Sequence, residues 1–155
     1  MIEPFRIEFF EEPVTQNDVR QLSELRSQTT IRLACGQNEG QAYRFRDMMI
    51  AGAVDIIQPN VAITGGFTQC QKIAALANSF NISVDNGGAW PFFNQHLQAG
   101  LSNGGLVEYH YSSVEVCKRL YTGLPEPKQG WLTMTDAPGL GFELNTAALS
   151  HFEID

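Results

Sequence analysis

Five short apolar runs, Ile7 to Phe10, Ile31 to Cys35, Val54 to Gln58, Ile82 to Asp85 and Leu106 to Tyr109, start about 25 residues apart. That interval is the size of one βα unit and points to a parallel sheet with crossover helices. Between the runs the apolar spacing becomes helical. Val19, Leu22 and Leu25 follow the candidate caps Thr15 and Asn17; Phe45, Met48 and Met49 follow the second run; Cys70, Ile73, Ala74 and Ala77 form a stripe after Gly65-Gly66. The strand runs are mostly apolar rather than alternating, as expected where helices cover the sheet. No exact repeat accompanies the period. After Tyr111 the spacing predicts a helix around Val114 to Leu120, then an irregular tail punctuated by Gly123, Pro125, Pro127, Gly130, Pro138, Gly139 and Gly141.

Charge and composition narrow the function. With 10 Lys+Arg against 17 Asp+Glu, the net charge is -7, and no basic cluster could displace counterions from nucleic acid. No apolar run reaches the roughly 20 residues of a membrane span. The start, Met1-Ile2-Glu3-Pro4-Phe5-Arg6, lacks the pattern of a signal peptide, and a cytoplasmic address is expected. Cys35, Cys70 and Cys117 are far apart and odd in number, which predicts reduced, buried thiols rather than disulfides or a zinc site.

The ends of the strand runs carry the chemistry. They read Glu11-Glu12-Pro13, Gly36-Gln37-Asn38-Glu39, Pro59-Asn60 and Asp85-Asn86-Gly87-Gly88, and the fifth run carries Glu108. In parallel α/β folds the C-terminal strand ends form the ligand-binding rim, so these carboxylates and amides are expected to converge there. A polar residue at a strand end also simply begins a loop.

The motifs Phe10-Glu11-Glu12-Pro13, Ala34-Cys35-Gly36-Gln37-Asn38-Glu39-Gly40, Asp55-Ile56-Ile57-Gln58-Pro59-Asn60 with Gly65-Gly66, and Asp136-Ala137-Pro138-Gly139-Leu140-Gly141 come in this order over nearly the whole chain. Together they resemble the mandelate racemase and muconate lactonizing enzyme branch of the enolase superfamily. The resemblance implies an α/β fold: a partial TIM barrel of about five βα units equivalent to the fourth to eighth strands, at residues 1–122, with a C-terminal tail at 123–155 packing on the barrel or on a capping domain outside this chain. It also implies Mg²⁺, which holds a substrate carboxylate and stabilises the enediolate formed when a base removes the adjacent proton. Glu11 matches one metal ligand. Gln37 stands at a second, where the family usually has Glu, and Glu39 could substitute if the chain stays extended. A further ligand and a Lys pair would lie ahead of Met1.

Asn60 takes the position of an Asp that supports a catalytic His, and Asn86 the position of that His; neither amide can act as a general base. Glu108 matches an acid that bonds substrate or intermediate, or is an exposed strand-end Glu. His96, His110 and His151 are expected to be structural or solvated. Gly65-Gly66 is either an anion-binding helix start or a tight turn. Trp90, Pro91, Phe92 and Phe93 line a pocket or belong to the core.

Two functions stay open. One is the C-terminal part of an acid-sugar dehydratase or racemase, acting on a small carboxylate or sugar acid and inactive as an isolated chain. The other is a non-catalytic binding or scaffold domain. Open strand edges and uncovered apolar faces further predict a homodimer, or association with a missing N-terminal portion; the alternative is a monomer whose tail folds over the gap.

Overall fold

The computed structural model describes residues 2–152; positions 1 and 153–155, including the end of the tail, lie outside the described residues. Five strands, β1 (Phe9–Glu11), β2 (Arg32–Cys35), β3 (Ile56–Ile57), β4 (Ser83–Asn86) and β5 (Gly104–Val107), form one parallel sheet in the order of the chain. Helices α1 (Val19–Ser27), α2 (Ala42–Ile50), α3 (Gly66–Ser79) and α4 (Pro91–Ala99) are the crossovers, and α5 (Tyr111–Leu120) follows β5. The expected partial barrel of five βα units is thus the observed architecture. None of the described helices is long and apolar enough to cross a membrane.

Period-two alternation decides which strand residues meet the helices. Leu33 and Cys35 of β2, Ile57 of β3 and Val84 of β4 pack in one core with Leu22 of α1, Phe45 and Met48 of α2, and Ile73 and Ala77 of α3. The opposite face carries Arg32, Ala34, Ile56, Ser83 and Asp85. Arg32 reaches across β3 to donate to Ser83 Oγ at 2.9 Å and pairs with Glu8 at 3.2 Å. This face is therefore mixed rather than apolar as the sequence suggested, because small and charged side chains alternate with the core positions. The three cysteines are buried and unbonded, and burial pushes the Cys35 thiol up to about 12 and Cys70 to about 11.

Local chemistry sets the boundaries. Asp18, rather than the candidates Thr15 and Asn17, which form a 3₁₀ turn, caps α1 by accepting from Gln21 N–H at 2.9 Å. Arg26, in the last turn of α1, makes two bonds to Asp55 Oδ1 at 2.7 and 2.9 Å, while Asp55 Oδ2 accepts from Leu33 N–H at 3.0 Å. Burial alone would raise the Asp55 carboxyl; Arg26 and the Leu33 amide hold it below its ordinary value. The fifth strand lies two residues earlier than the apolar run suggests. Leu106 N–H bonds Asp85 Oδ1 at 2.7 Å, and glycine at 105 leaves room for that carboxylate, which a Cβ would overlap.

The tail is more regular than expected. β6 (Tyr121–Thr122) pairs antiparallel with β7 (Glu143–Leu144), and α6 (Thr146–Phe152) follows. Phe142 joins Phe92, Phe93 and Tyr121 in a chain of edge-to-face aromatic contacts that pins this hairpin to α4. Neither two-residue strand has a periodic signature of its own. Proline and glycine between them read as disorder of pattern, yet they only shape the connection.

Phe45 is fully buried, and its ring closes against Gly36, where a Cβ would lie 2.5 Å from Cε1. Phe45→Ala is expected to destabilise the fold by about 3–5 kcal/mol in urea unfolding, the range for removing a fully buried aromatic ring.

Candidate functional site

Because the five strands are parallel, their C-terminal ends open on one rim, and Pro13 and Pro59 stop the ladders of β1 and β3 there. Glu11 lies on the sheet face opposite the helices. Its Oε1 accepts from Gln58 Nε2 at 2.7 Å. Gly87, after β4, presses its backbone into the same spot: a Cβ there would lie 2.7 Å from Glu11 Oε1, 2.9 Å from Gln58 Nε2 and 3.2 Å from Gln37 Cβ. Glu11, Gln37 and Gln58 therefore converge around one glycine. Desolvation raises the Glu11 carboxyl above its ordinary value, and the nearby Glu108 and Glu12 carboxylates add to the rise, partly opposed by the Gln58 bond.

Glu12, with a left-handed φ of 46°, turns away from Glu11. Its Oε1 accepts from the backbone N–H of Gly36 at 2.8 Å and Gln37 at 3.3 Å, and from Asn17 Nδ2 at 3.2 Å, fixing the turn after β2. Glu39 is held by Arg44 through bonds of 3.0 and 3.1 Å and accepts from Asn17 at 3.4 Å. The chain does not stay extended beyond Gly36, whose φ is +115°; Glu39 N–H bonds back to Gly36 O at 3.0 Å. Glu39 is consequently an ion-pair partner of α2 rather than a companion to Glu11.

Asn60 is fully buried, and its Nδ2 donates to the carbonyls of Gly87 and Gly88, each at 2.8 Å, and Ala89 at 3.1 Å. Asn86 answers in the opposite direction, its Nδ2 donating to Pro59 O. Glu108 Oε2 accepts from Ala89 N–H at 2.9 Å. All three family-position residues thus act on the backbone at the ends of β3 and β4. Gln58 Oε1 and Asn86 Oδ1 are buried without a hydrogen-bond partner among the described residues, which leaves two acceptors unpaired at the rim.

Magnesium asks for near-octahedral oxygen ligands, several of them waters. Here Glu11 Oε1 accepts from the Gln58 N–H₂ group and is crowded by Gly87, and Gln37 brings no charge. Among the described residues no group of three or more His, Cys, Asp or Glu could hold a metal ion. These residues as they stand do not fit the ion.

The other expectations resolve plainly. A His96 Nε2 contact with Leu140 O at 3.0 Å ties α4 to the tail. His110 is the exposed residue preceding α5, and His151 lies in α6 against Phe152. Gly65 and Gly66 adopt φ of 95° and 81°, and Gly66 N–H bonds Val61 O at 3.1 Å, so this is a tight turn whose N–H is already used. Phe92 is fully buried in the core, while Trp90 and Phe93 wall a small apolar cleft with Val61 and Phe67. Gln58 was missed as a rim side chain, the signal being an amide that closes an otherwise apolar run; Gly87, expected at the rim, lies there against Glu11.

The enolase C-terminal domain-like family model matches residues 1–148. A D-galactonate dehydratase family member from Enterococcus gallinarum (strain EG2) is 26% identical over 157 aligned positions, covering 97% of this chain and 39% of the relative. The crystal structure of a mandelate racemase/muconate lactonizing enzyme from a marine actinobacterium in complex with magnesium superposes with a TM-score of 0.86 at 31% identity, over 97% of this chain and 42% of that one. L-Talarate dehydratase from Polaromonas sp. JS666, complexed with Mg and L-glucarate, superposes at 0.86 with 26% identity over 96% and 40%. The chain spans about two fifths of the length of these relatives.

Since its folded pKa is raised, the Glu11 carboxyl binds its proton more tightly in the folded than in the unfolded state. Stability therefore falls as pH rises through the carboxylate range, and the penalty is fully present at neutral pH. Glu11→Gln is expected to raise the Tm at neutral pH and to change it little near about pH 3, where both side chains are uncharged; thermal melts at the two pH values check this.

Proposed function

The chain belongs to the enolase C-terminal domain-like family, and on that footing we propose that it supplies the fourth-to-eighth-strand rim of an acid-sugar dehydratase or racemase type of barrel without itself abstracting a proton. The observation that carries this reading is the pair Asn60 and Asn86. Each stands where a superfamily member would hold an acid or a base, and each amide is committed to backbone carbonyls. An amide has no proton-accepting role near neutral pH.

Magnesium, when an enolase-superfamily rim holds it, neutralises the substrate carboxylate and the enediolate charge that develops. The donors of this chain are one crowded carboxylate and one neutral amide, so no step is derived through the ion. Without a cation, a sugar-acid carboxylate brought to this rim would face Glu11 and Glu108, and like charges oppose its binding. Neutral hydroxyl groups meet no such repulsion, and Gln58 Oε1 and Asn86 Oδ1 are acceptors without a partner among the described residues. This supports the second reading, a non-catalytic domain that retains polar recognition at the rim.

Incubating the chain with a panel of sugar acids in deuterated water, with and without added Mg²⁺, is expected to give no α-proton exchange above background by proton NMR. General bases contribute about 10²- to 10⁴-fold, so a working base would be plain in such an assay. Exchange with one acid overturns the proposal.

Association is also proposed. Within the described sheet β1 pairs only with β2 and β5 only with β4, leaving two open backbone edges. Beside β5 the tail stands off rather than closing, with Leu106 and Val107 on one side and Trp131 and Met134 on the other of a groove of ≈ 690 Å³. Sedimentation velocity at micromolar concentration is expected to show a dimer; a stable, non-aggregating monomer refutes it.

A further inference from the structure

The proposed function leaves the turn after β4 unexplained. Gly88, Ala89 and Trp90 have φ of 74°, 69° and 61°, three successive left-handed residues of which only the first is glycine. Such a conformation is costly for L residues and persists only where its surroundings impose it. Here the surroundings act from both sides. From β3, the two N–H bonds of the Asn60 amide are shared among the carbonyls of Gly87, Gly88 and Ala89, while Asn60 Oδ1 accepts from Ala62 N–H at 2.9 Å and fixes the amide's orientation. From β5 and α4, Glu108 takes the Ala89 N–H and Asn94 Nδ2 donates to Ala89 O at 2.9 Å. Asn86, at the root of the turn, is bonded back to Pro59 O.

The turn held in this way is pressed against Glu11, with no room for a Cβ at Gly87. We propose that Asn60 and Asn86 form a reciprocal clasp that closes the β4–α4 turn over one side of Glu11, making Asn60 the positioning residue that sets access to the rim carboxylate. The amide is essential to this role. An isosteric Asp at position 60 would turn a carboxylate oxygen toward three carbonyl oxygens and repel the turn that Asn60 holds. Asn60 is on this view the reason for a closed rim, not merely the loss of an acid. The inference goes beyond the proposed function, since it stands or falls on access to Glu11 whether or not any proton is abstracted.

The test compares the full chain with Asn60→Asp by amide hydrogen exchange and by carbodiimide-amine labelling of carboxylates read by mass spectrometry. Expected in Asn60→Asp are exchange at the Ala89 amide on the order of tenfold faster or more, faster labelling of Glu11, and unchanged exchange at the core amide of Val84. A folded Asn60→Asp in which Ala89 exchange and Glu11 labelling are both unchanged overturns the proposal. Should that variant fail to fold, Asn60→Ser, which removes the amide without placing a charge beside the carbonyls, must speed both Ala89 exchange and Glu11 labelling; unchanged values of both overturn it. So does the unaltered chain if its Glu11 labels as fast as the exposed Glu24.

Discussion

Parallel pairing of five consecutive strands is the constraint from which the rest of the molecule follows. A parallel strand cannot be reached by a hairpin, so each must be preceded by a helix, and each helix must return across the same face of the sheet. One face becomes the dry core around Phe45, Ile57 and Val84. The other keeps the polar residues, and every strand ends on the same rim. Glu11, Gln37, Gln58, Asn86 and Glu108 are distant in the chain and near in space for that reason alone.

What the rim does with its polar groups is less uniform than their types suggest. Glu12 and Glu39 hold turns together: one receives backbone N–H groups, the other forms an ion pair with Arg44. Asn60 and Asn86 hold backbone carbonyls. Glu11 differs from these. It is desolvated, lies near two other carboxylates, has one amide donor, and its carboxyl is shifted upward. Desolvation and neighbouring like charge act on Glu11, whereas Glu12 and Glu39 meet hydrogen-bond donors. The rim therefore sets one desolvated carboxylate among polar groups that hold turns and backbone carbonyls.

The sheet was legible because its evidence is local. Apolar runs, helical stripes such as Cys70 to Ala77, and the strand-ending prolines each act within a few residues. Where contacts come from far along the chain, legibility was lost. β5 begins at Gly104 rather than at the apolar Leu106 because Gly104 pairs with Val84, and Asp85 takes the Leu106 amide where the register then shifts. The β6–β7 hairpin joins residues on either side of the Gly/Pro-rich stretch through two short strands and the aromatic contacts of Phe142. Glu39 read as a metal-side carboxylate while the turn at Gly36 was unseen.

By itself the sequence determined the α/β class, the helix faces and the gathering of Glu11, Gln37, Asn60, Asn86 and Glu108 at the strand ends, since periodicity and chain connectivity dictate these, whereas the order of the strands was what the family resemblance implied. It also settled that Asn60 and Asn86 cannot titrate, which is a property of the side chain. Only the tertiary structure decided how each polar group is engaged: Gln58 on Glu11, Arg44 on Glu39, Asn60 on three carbonyls. Hydrogen bonds need donor and acceptor within about 3 Å and aligned. That precision comes from packing of strands and turns tens of residues apart, and no local pattern carries it.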